Sequence, residues 1–511
     1  MNFDWIKVRA VTHSDKVAII EPAKKREWTY HELNVRAENL ANYLIEQGVQ
    51  RGDRVGVFAP NDVAIADFFF ACIKMGAVFI PLNWRLKPLE VAKVVEDSGT
   101  KFIVNAVNHE DRLENVPKEY IKLNIDLPEY DEIVNPANHH PFESVDLELN
   151  DPAFLIYTSG STGTPKGVLH THQSYRNNAF NEILSFNLTE ELRVIINVPL
   201  FHIIGFVDML IPVLMLGGTI VLERYFNAQT LNSMIREYRP NTLIMIPTMY
   251  YAMLASPDFA PDVLESVDLI VSGGAPPLPQ IAQAFEKMGK PIMNIYGLSE
   301  VPLVTFNRKE FAKENPAAIG QPLMNGKIKI VDDQLEEVGV GEVGELLVAG
   351  ANVFAGYWNL PEEDEKAFHE GYFRTGDLAT RNEKGEITIV NRLKELIITG
   401  GENVLPSEVE AILNKHPLIK SGLVVGYDNP KYGESVSAAI ILNPEARDYE
   451  NFEAALDEFM MKNLAGYKVP KLYLVLEEIP LNSVGKPDRL EIQRMMNEYA
   501  KEIDDPVNHN K

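Results

Sequence analysis

Phe201-His-Ile-Ile-Gly-Phe-Val-Asp-Met-Leu-Ile-Pro-Val-Leu-Met-Leu-Gly-Gly-Thr-Ile-Val-Leu222 is nearly long and apolar enough to cross a bilayer, so its reading decides the fold class. Asp208 near the centre of a membrane helix would cost about 3 kcal/mol. Pro212 and the pair Gly217-Gly218 also divide the run, which predicts a buried helix followed by a strand and no transmembrane segment.

The flanking sequence repeats that alternation. Val55-Gly-Val-Phe-Ala59 leads into an amphipathic 61–75, Val194-Ile-Ile-Asn-Val198 into 204–216, and Thr242-Leu-Ile-Met-Ile246 into 248–255. Asp268–Ser272, 278–288 and Ile292–Tyr296 continue the series. Such βα units predict parallel sheets buried on both faces, with ligands gathered where strands end. After about 320 the strands are short and the turns tight, as at Lys327–Val331, Glu345–Ala349 and Ile387–Val390, which predicts a small β-sheet subdomain. Residues 392–511 carry helices near 406–415 and 451–464 and strands such as Gly422–Gly426, Ser437–Leu442 and Lys471–Leu476, enough for an α+β domain. The expected fold is α/β, with a large N-terminal domain, 1–391, and a small C-terminal domain, 392–511. Only the polar tail from about 503 reads as disordered.

Lys and Arg total 48 against 73 Asp and Glu, and the net charge of -25 argues against a nucleic-acid partner. Any phosphate must therefore be held locally. The N-terminus lacks the basic-then-apolar order of a secretion signal, and the lone Cys72 in an apolar run reads as an inert buried thiol; both predict a cytoplasmic setting. His139, His140, His170 and His172 have no accompanying Cys or Asp cluster and do not read as metal ligands.

A local phosphate holder is present in Phe154-Leu-Ile-Tyr-Thr-Ser-Gly-Ser-Thr-Gly-Thr-Pro-Lys-Gly-Val168. An apolar strand runs into hydroxyls and glycines and then a lysine. Thr158, Ser159, Gly160, Ser161, Thr162 and Gly163 offer hydroxyl and amide donors to a polyphosphate, and Lys166 supplies charge. Pro165 stands where a Walker A loop has glycine, so the loop is of another kind. Gly339-Val-Gly-Glu-Val-Gly344 matches a dinucleotide fingerprint by spacing, but acidic residues precede it and a strand follows, which predicts a hairpin turn.

Tyr157–Gly167, Gly297-Leu-Ser-Glu300, Tyr372–Asp377, Arg392-Leu-Lys394, Gly400-Gly-Glu-Asn403 and Gly485-Lys486 occur in one order. Together with Gly344-Glu-Leu-Leu and Gly356-Tyr-Trp they resemble the adenylate-forming superfamily of acyl-CoA synthetases, peptide-synthetase adenylation domains and luciferases, from Trp28 to Lys486. The resemblance implies that ATP and a carboxylic acid form an acyl adenylate with loss of pyrophosphate, after which coenzyme A takes the acyl group. It implies phosphate binding by the 158–166 loop, Mg²⁺ at Glu300, ribose contacts from Asp377 and Arg392, and adenine walls from Gly274, Ala275, Pro276, Asn294, Tyr296, Gly297 and Ser299. Lys486 would touch the attacking carboxylate and the α-phosphate, and His202 would border the acyl group. In relatives a mobile C-terminal domain serves both steps; here Lys394 would be the hinge, with Gly400, Gly401 and Glu402 on the side of coenzyme A. Asn391, Ser299 and Pro487-Asp488 depart from the usual residues.

Gly400–Val404 and Tyr467-Lys-Val-Pro470 look more like an acyl-CoA ligase than like a stand-alone enzyme loading a carrier protein. A catalytically silent acyl-adenylate binder would not need Lys166, Glu300, Asp377, Arg392 and Lys486 together. Ile203, Ile204, Met249, Tyr250, Leu298 and Val301 suggest an apolar pocket for a medium- or long-chain fatty acid, with an aryl acid or o-succinylbenzoate as the alternative. The expected partners are small molecules, and a homodimer is compatible with the resemblance.

Overall fold

The computed structural model describes residues 3–159, 165–275, 279–392, 397–404, 406–444, 452–480 and 487–504. The chain divides into two compact units. The first is Met1–Trp84, Val94–Thr158 and Lys166–Leu393; the second is Arg85–Lys93, Ser159–Pro165 and Lys394–Lys511.

In the first unit, a sheet of nine described strands has a parallel centre: Val17–Glu21, Thr219–Leu222, Arg193–Ile196, Thr242–Met245, Leu269–Ser272 and Met293–Tyr296 lie side by side, with antiparallel strands at both edges. A second sheet runs Gly356–Tyr357, Pro165–Thr171, Pro152–Ser159, Val78–Leu82, Arg54–Phe58, Phe102–Asn105 and Ile121–Asn124. Val78–Leu82, Thr219–Leu222 and Thr242–Met245 are buried at every residue, which explains their unbroken apolar sequence. One core gathers side chains from both sheets. A third, antiparallel sheet joins Gly326–Val331, Gly344–Gly350, Tyr372–Arg381, Phe368–His369 and Ile387–Arg392. Residues 332–343 connect two of these paired strands, and within them the Glu342 N–H donates to the Gly339 carbonyl at 3.2 Å, a turn that runs into the strand at Gly344.

Two helices show how sequence sets the layers. Tyr30–Glu46 begins at a capping box in which the Thr29 hydroxyl accepts the Glu32 N–H and the Glu32 carboxylate accepts the Thr29 N–H. Val63–Met75 is buried at every residue, starts at the Asp62 cap and stops at Gly76, whose φ of 75° is left-handed. A helix without an exposed face must match its polar side chains internally. Accordingly the Arg36 guanidinium donates to Asp67 at 2.6 Å while lying 4.0 Å from the Trp28 ring centroid, and Lys74 donates to Asp4 at 2.7 Å and Asn34 at 2.8 Å.

Ile204–Leu210 is a π-helix that continues into the α-helix Ile211–Leu216 before the strand Thr219–Leu222. No helix among the described residues is long and apolar enough to cross a membrane. The second unit carries a mixed sheet of Glu402–Val404, Ile397–Thr399, Gly433–Leu442, Ile419–Asn429 and Leu472–Val475. Its last helix, Arg489–Asp504, was not legible as an element, and it carries order one residue past the expected start of the disordered tail.

Replacing Asp67 by alanine should destabilise the protein by about 3–5 kcal/mol, because Arg36 would remain buried without a counter-charge. Asp131→Ala, which breaks the exposed Arg26–Asp131 pair, should cost about 1 kcal/mol or less. Urea unfolding of the two variants checks the contrast.

Candidate active site

The segment carrying His202 is held by a side chain distant in sequence. The buried Asn61 carboxamide accepts the Leu200 N–H at 2.8 Å and donates to the Val198 and Glu223 carbonyls at 2.9 and 3.1 Å. A Cβ at Gly205 would lie 2.5 Å from the Pro199 carbonyl oxygen, so glycine is required where the π-helix closes on the turn. Phe206 then fixes the helix against Phe69, Phe79 and Phe154, at ring distances of 4.9, 5.3 and 5.1 Å.

The loop Gly297–Glu300 is similarly constrained. A Cβ at Gly297 would collide with the Pro302 carbonyl. Behind the loop, His170 is buried and stacked 4.9 Å from the Phe154 ring, with Nε2 2.7 Å from the Ser299 carbonyl and Nδ1 3.1 Å from the Ser174 hydroxyl. A carbonyl can only accept, so Nε2 carries the proton, and Nδ1 faces the Ser174 hydroxyl, whose proton the Thr171 carbonyl at 3.1 Å also attracts. The ring is thus a support for the backbone next to Glu300.

Glu300 accepts a hydrogen bond from the Tyr357 hydroxyl at 2.8 Å, and Lys166 Nζ stands 5.0 Å from the Tyr357 ring centroid. Lys166 also donates to Glu363 at 2.5 Å; that bond, with help from Lys366, holds the Glu363 carboxyl down to about 2. On the far side of the same loop, the Tyr296 hydroxyl donates to Asp377 at 2.5 Å. Asp377 is 1% exposed and faces Arg392 across the paired strands Tyr372–Arg381 and Ile387–Arg392. One chain of contacts therefore joins Lys166, Tyr357 and Glu300, and another joins Tyr296, Asp377 and the backbone of Arg392. Gly274, with a left-handed φ of 76°, and Ala275 end the strand beside Met293–Tyr296.

Other expected residues are placed differently. The Asn294 amide donates to the Pro316 and Ala318 carbonyls at 2.7 and 3.2 Å, so its N–H groups fasten a loop beside the strand Met293–Tyr296. Tyr250 is a correction to the apolar pocket: it is fully buried, and its hydroxyl donates to the Leu243 and Val271 carbonyls, tying two core strands together. Val301 likewise belongs to the core of the antiparallel sheet. Thr158 and Ser159 end the strand Pro152–Ser159; Gly160, Ser161, Thr162, Gly163, Pro276, Lys394 and Lys486 lie outside the described residues. In the second unit, Gly400 and Gly401 make the left-handed turn between Ile397–Thr399 and Glu402–Val404, and the Glu402 carboxylate pairs with Arg85. Sequence reasoning missed Asn61, His170 and Glu363, whose partners are remote in the chain; Tyr357 was visible only within the Gly356-Tyr-Trp motif.

Burial pushes His170 from 6.5 down to about 4, only partly offset by its bond to Ser299, and His172 is shifted likewise. The unfolded chain therefore takes up a proton that the folded one refuses. The stability from a neutral His170, full above pH 6.5, should be lost as pH falls toward 4, by about 3 kcal/mol. Urea unfolding between these pH values should show a shallower pH dependence for His170→Gln than for the wild type.

Residues 6–358 match the AMP-binding enzyme family and residues 408–486 match the AMP-binding enzyme C-terminal domain. A feruloyl-CoA synthase of Amycolatopsis sp is 33% identical over 467 residues, covering 91% of this chain and 93% of that protein. A long-chain-fatty-acid–CoA ligase of Mycobacterium tuberculosis is 30% identical over 498 residues, covering 95% and 96%. The solved structure of a double mutant of o-succinylbenzoate CoA synthetase from Bacillus subtilis, bound with its product analogue, aligns with a TM-score of 0.85 at 29% identity over 96% of this chain and 98% of that one. The chain thus belongs to the AMP-binding enzymes of the adenylate-forming superfamily, as an AMP-forming acid–thiol ligase that uses ATP and coenzyme A.

Proposed function

We propose that this ligase activates its acid at the cluster that Tyr357 and Tyr296 organise around Glu300 and Asp377. The observation that carries the assignment is the pair of hydroxyl–carboxylate bonds, Tyr357 to Glu300 on the loop and Tyr296 to Asp377 on the strand Tyr372–Arg381, which hold two acidic groups at the two ends of the segment Tyr296–Glu300. In the first step a carboxylate oxygen attacks the α-phosphorus of ATP and pyrophosphate leaves. Both reactants are anions, so charge neutralisation and alignment govern the rate. Lys166 and the 158–163 loop would hold the phosphates, Asp377 and Arg392 the ribose, and Gly274, Ala275, Pro276, Tyr296, Gly297 and Ser299 the adenine; Lys486 would bridge carboxylate and α-phosphate. A cation bound by one carboxylate, phosphates and water would suit such a site. Glu300 would hold such a Mg²⁺, which would supply positive charge to the phosphates.

In the second step the coenzyme A sulfur attacks the acyl carbon and AMP leaves, with His202 beside the acyl group. A C-terminal domain, 392–511, turning about Lys394 would withdraw Lys486 and present Gly400, Gly401 and Glu402 to the thiol arm. The acid has an apolar body. The long-chain-fatty-acid–CoA ligase relative supports a fatty chain, and the feruloyl-CoA synthase relative supports an aryl acid.

Lys486→Ala should abolish acid-dependent ATP–pyrophosphate exchange, a drop of at least about 100-fold, and largely spare thioester formation from preformed acyl adenylate. Equal loss in both assays defeats the assigned role. Acid-dependent consumption of coenzyme A, measured across aryl and alkyl acids, separates this enzyme from one that loads a carrier protein.

A further inference from the structure

The helix that follows His202 ends on a buried acidic pair that the proposed chemistry does not use. Asp208, 2% exposed, lies on Ile204–Leu210, and Glu182, 1% exposed, lies on His172–Ser185. The Asn178 amide, one turn before Glu182, donates to Asp208 Oδ1 at 2.9 Å. Asp208 Oδ2 and both Glu182 oxygens have no partner, and no lysine or arginine among the described residues pairs with either carboxyl. A second element adds to the excess of acceptors. Asn352, 2% exposed, donates to the Leu303 carbonyl at 2.8 Å and leaves its Oδ1 unpartnered.

Two links connect this cluster to the site. Asp208 follows Ile204 by four residues and so lies near the same helix face, one turn deeper. Ile204 itself abuts Gly274, where an added Cβ would lie 2.7 Å from its Cδ1. Asn178 also accepts the Leu303 N–H at 2.9 Å, three residues beyond Glu300. The cluster is therefore linked to the helix that follows His202 and to the segment that follows Glu300.

Buried acceptors without donors are costly, and a saturated acyl tail would leave them so. Burial raises both carboxyls, and Asp208 raises Glu182 further, so the pair favours sharing a proton over ionising twice. A half-protonated pair offers both a donor and acceptors, which a hydroxyl matches in both senses; an ammonium would only donate. We propose that Glu182 and Asp208 are specificity-determining residues at the deep end of the acyl site, selecting acids with a hydroxyl remote from the carboxylate, and that the substrate class is hydroxylated aryl acids. This rests on the ligase reading and narrows its substrate.

The test compares 4-hydroxycinnamate, cinnamate and decanoate in coenzyme A consumption by the full chain. The wild type should favour 4-hydroxycinnamate over cinnamate by at least about tenfold in kcat/KM, since a site built for a hydroxyl rejects the analogue lacking it. The ratio should fall toward one in Glu182→Gln/Asp208→Asn, and in Asp208→Asn alone should the double variant fail to fold. A wild-type ratio near one, as expected if the pair holds only internal water, overturns the proposal, as does a ratio that survives in the variants. Turnover of decanoate without either cinnamate overturns it while the ligase reading stands. Absence of both turnover and pyrophosphate exchange with every acid removes the ligase reading and this proposal with it.

Discussion

The first unit depends on a helix with no exposed face. Val63–Met75 lies in the shared core of two sheets, so each polar group on it must be matched by another element. Asp67 takes Arg36 and the Tyr130 hydroxyl, Lys74 takes Asp4 and Asn34, and the Asp62 cap takes Lys24 and Arg224. These partners come from the N-terminal segment, the turn Pro22–Lys24, the preceding helix Tyr30–Glu46, the short helix Pro128–Ile133 and the residues just after the strand Thr219–Leu222, so one buried helix sets the positions of five others. Its effect reaches the site directly, because Asn61, just before the cap, clamps the turn that leads to His202.

At the site, placement depends on backbone crowding more than on side-chain contacts. Gly205 and Gly297 each sit where a Cβ would meet a carbonyl, so the π-helix and the Gly297–Glu300 loop can be drawn tightly against their neighbours. His170 completes the second constraint by donating to Ser299, and it does so only as a neutral ring, which burial ensures. Tyr357 and Tyr296 then orient carboxylates from fixed positions. Preorganisation of this kind lowers the reorganisation needed as charge develops on phosphorus.

The sheets were legible because parallel strands buried on both faces leave unbroken apolar runs, as in Val78–Leu82 and Thr242–Met245. The Phe201–Leu222 division was legible because Gly217 ends the helix in a left-handed cap; Pro212 instead sits within the helical run where the π turn passes into the α-helix, and the π turn was not legible, since nothing in local propensity distinguishes it from an α turn. Charged site residues stood out through ordered motifs. Asn61, His170 and Glu363 did not, because each acts through a partner more than 100 residues away, and an isolated Asn, His or Glu carries no spacing to read. Tyr250 misled for the opposite reason: its neighbours are apolar, but its hydroxyl serves two core strands.

The charge balance sharpens what a ligase site must do in this chain. ATP, coenzyme A and the acid are all anions, yet the protein carries a net charge of -25. Lys166 is also already engaged, by a Glu363 that stays ionised far below neutral pH. For Lys166 to hold a phosphate as proposed, the phosphate must displace or share that carboxylate, and a multiply charged group does so more readily than a singly charged one. In that reading Glu363 positions the lysine while favouring exchange for a polyphosphate over a lone carboxylate. An acidic surface and a guarded lysine together would discriminate for phosphate-bearing ligands over a lone carboxylate.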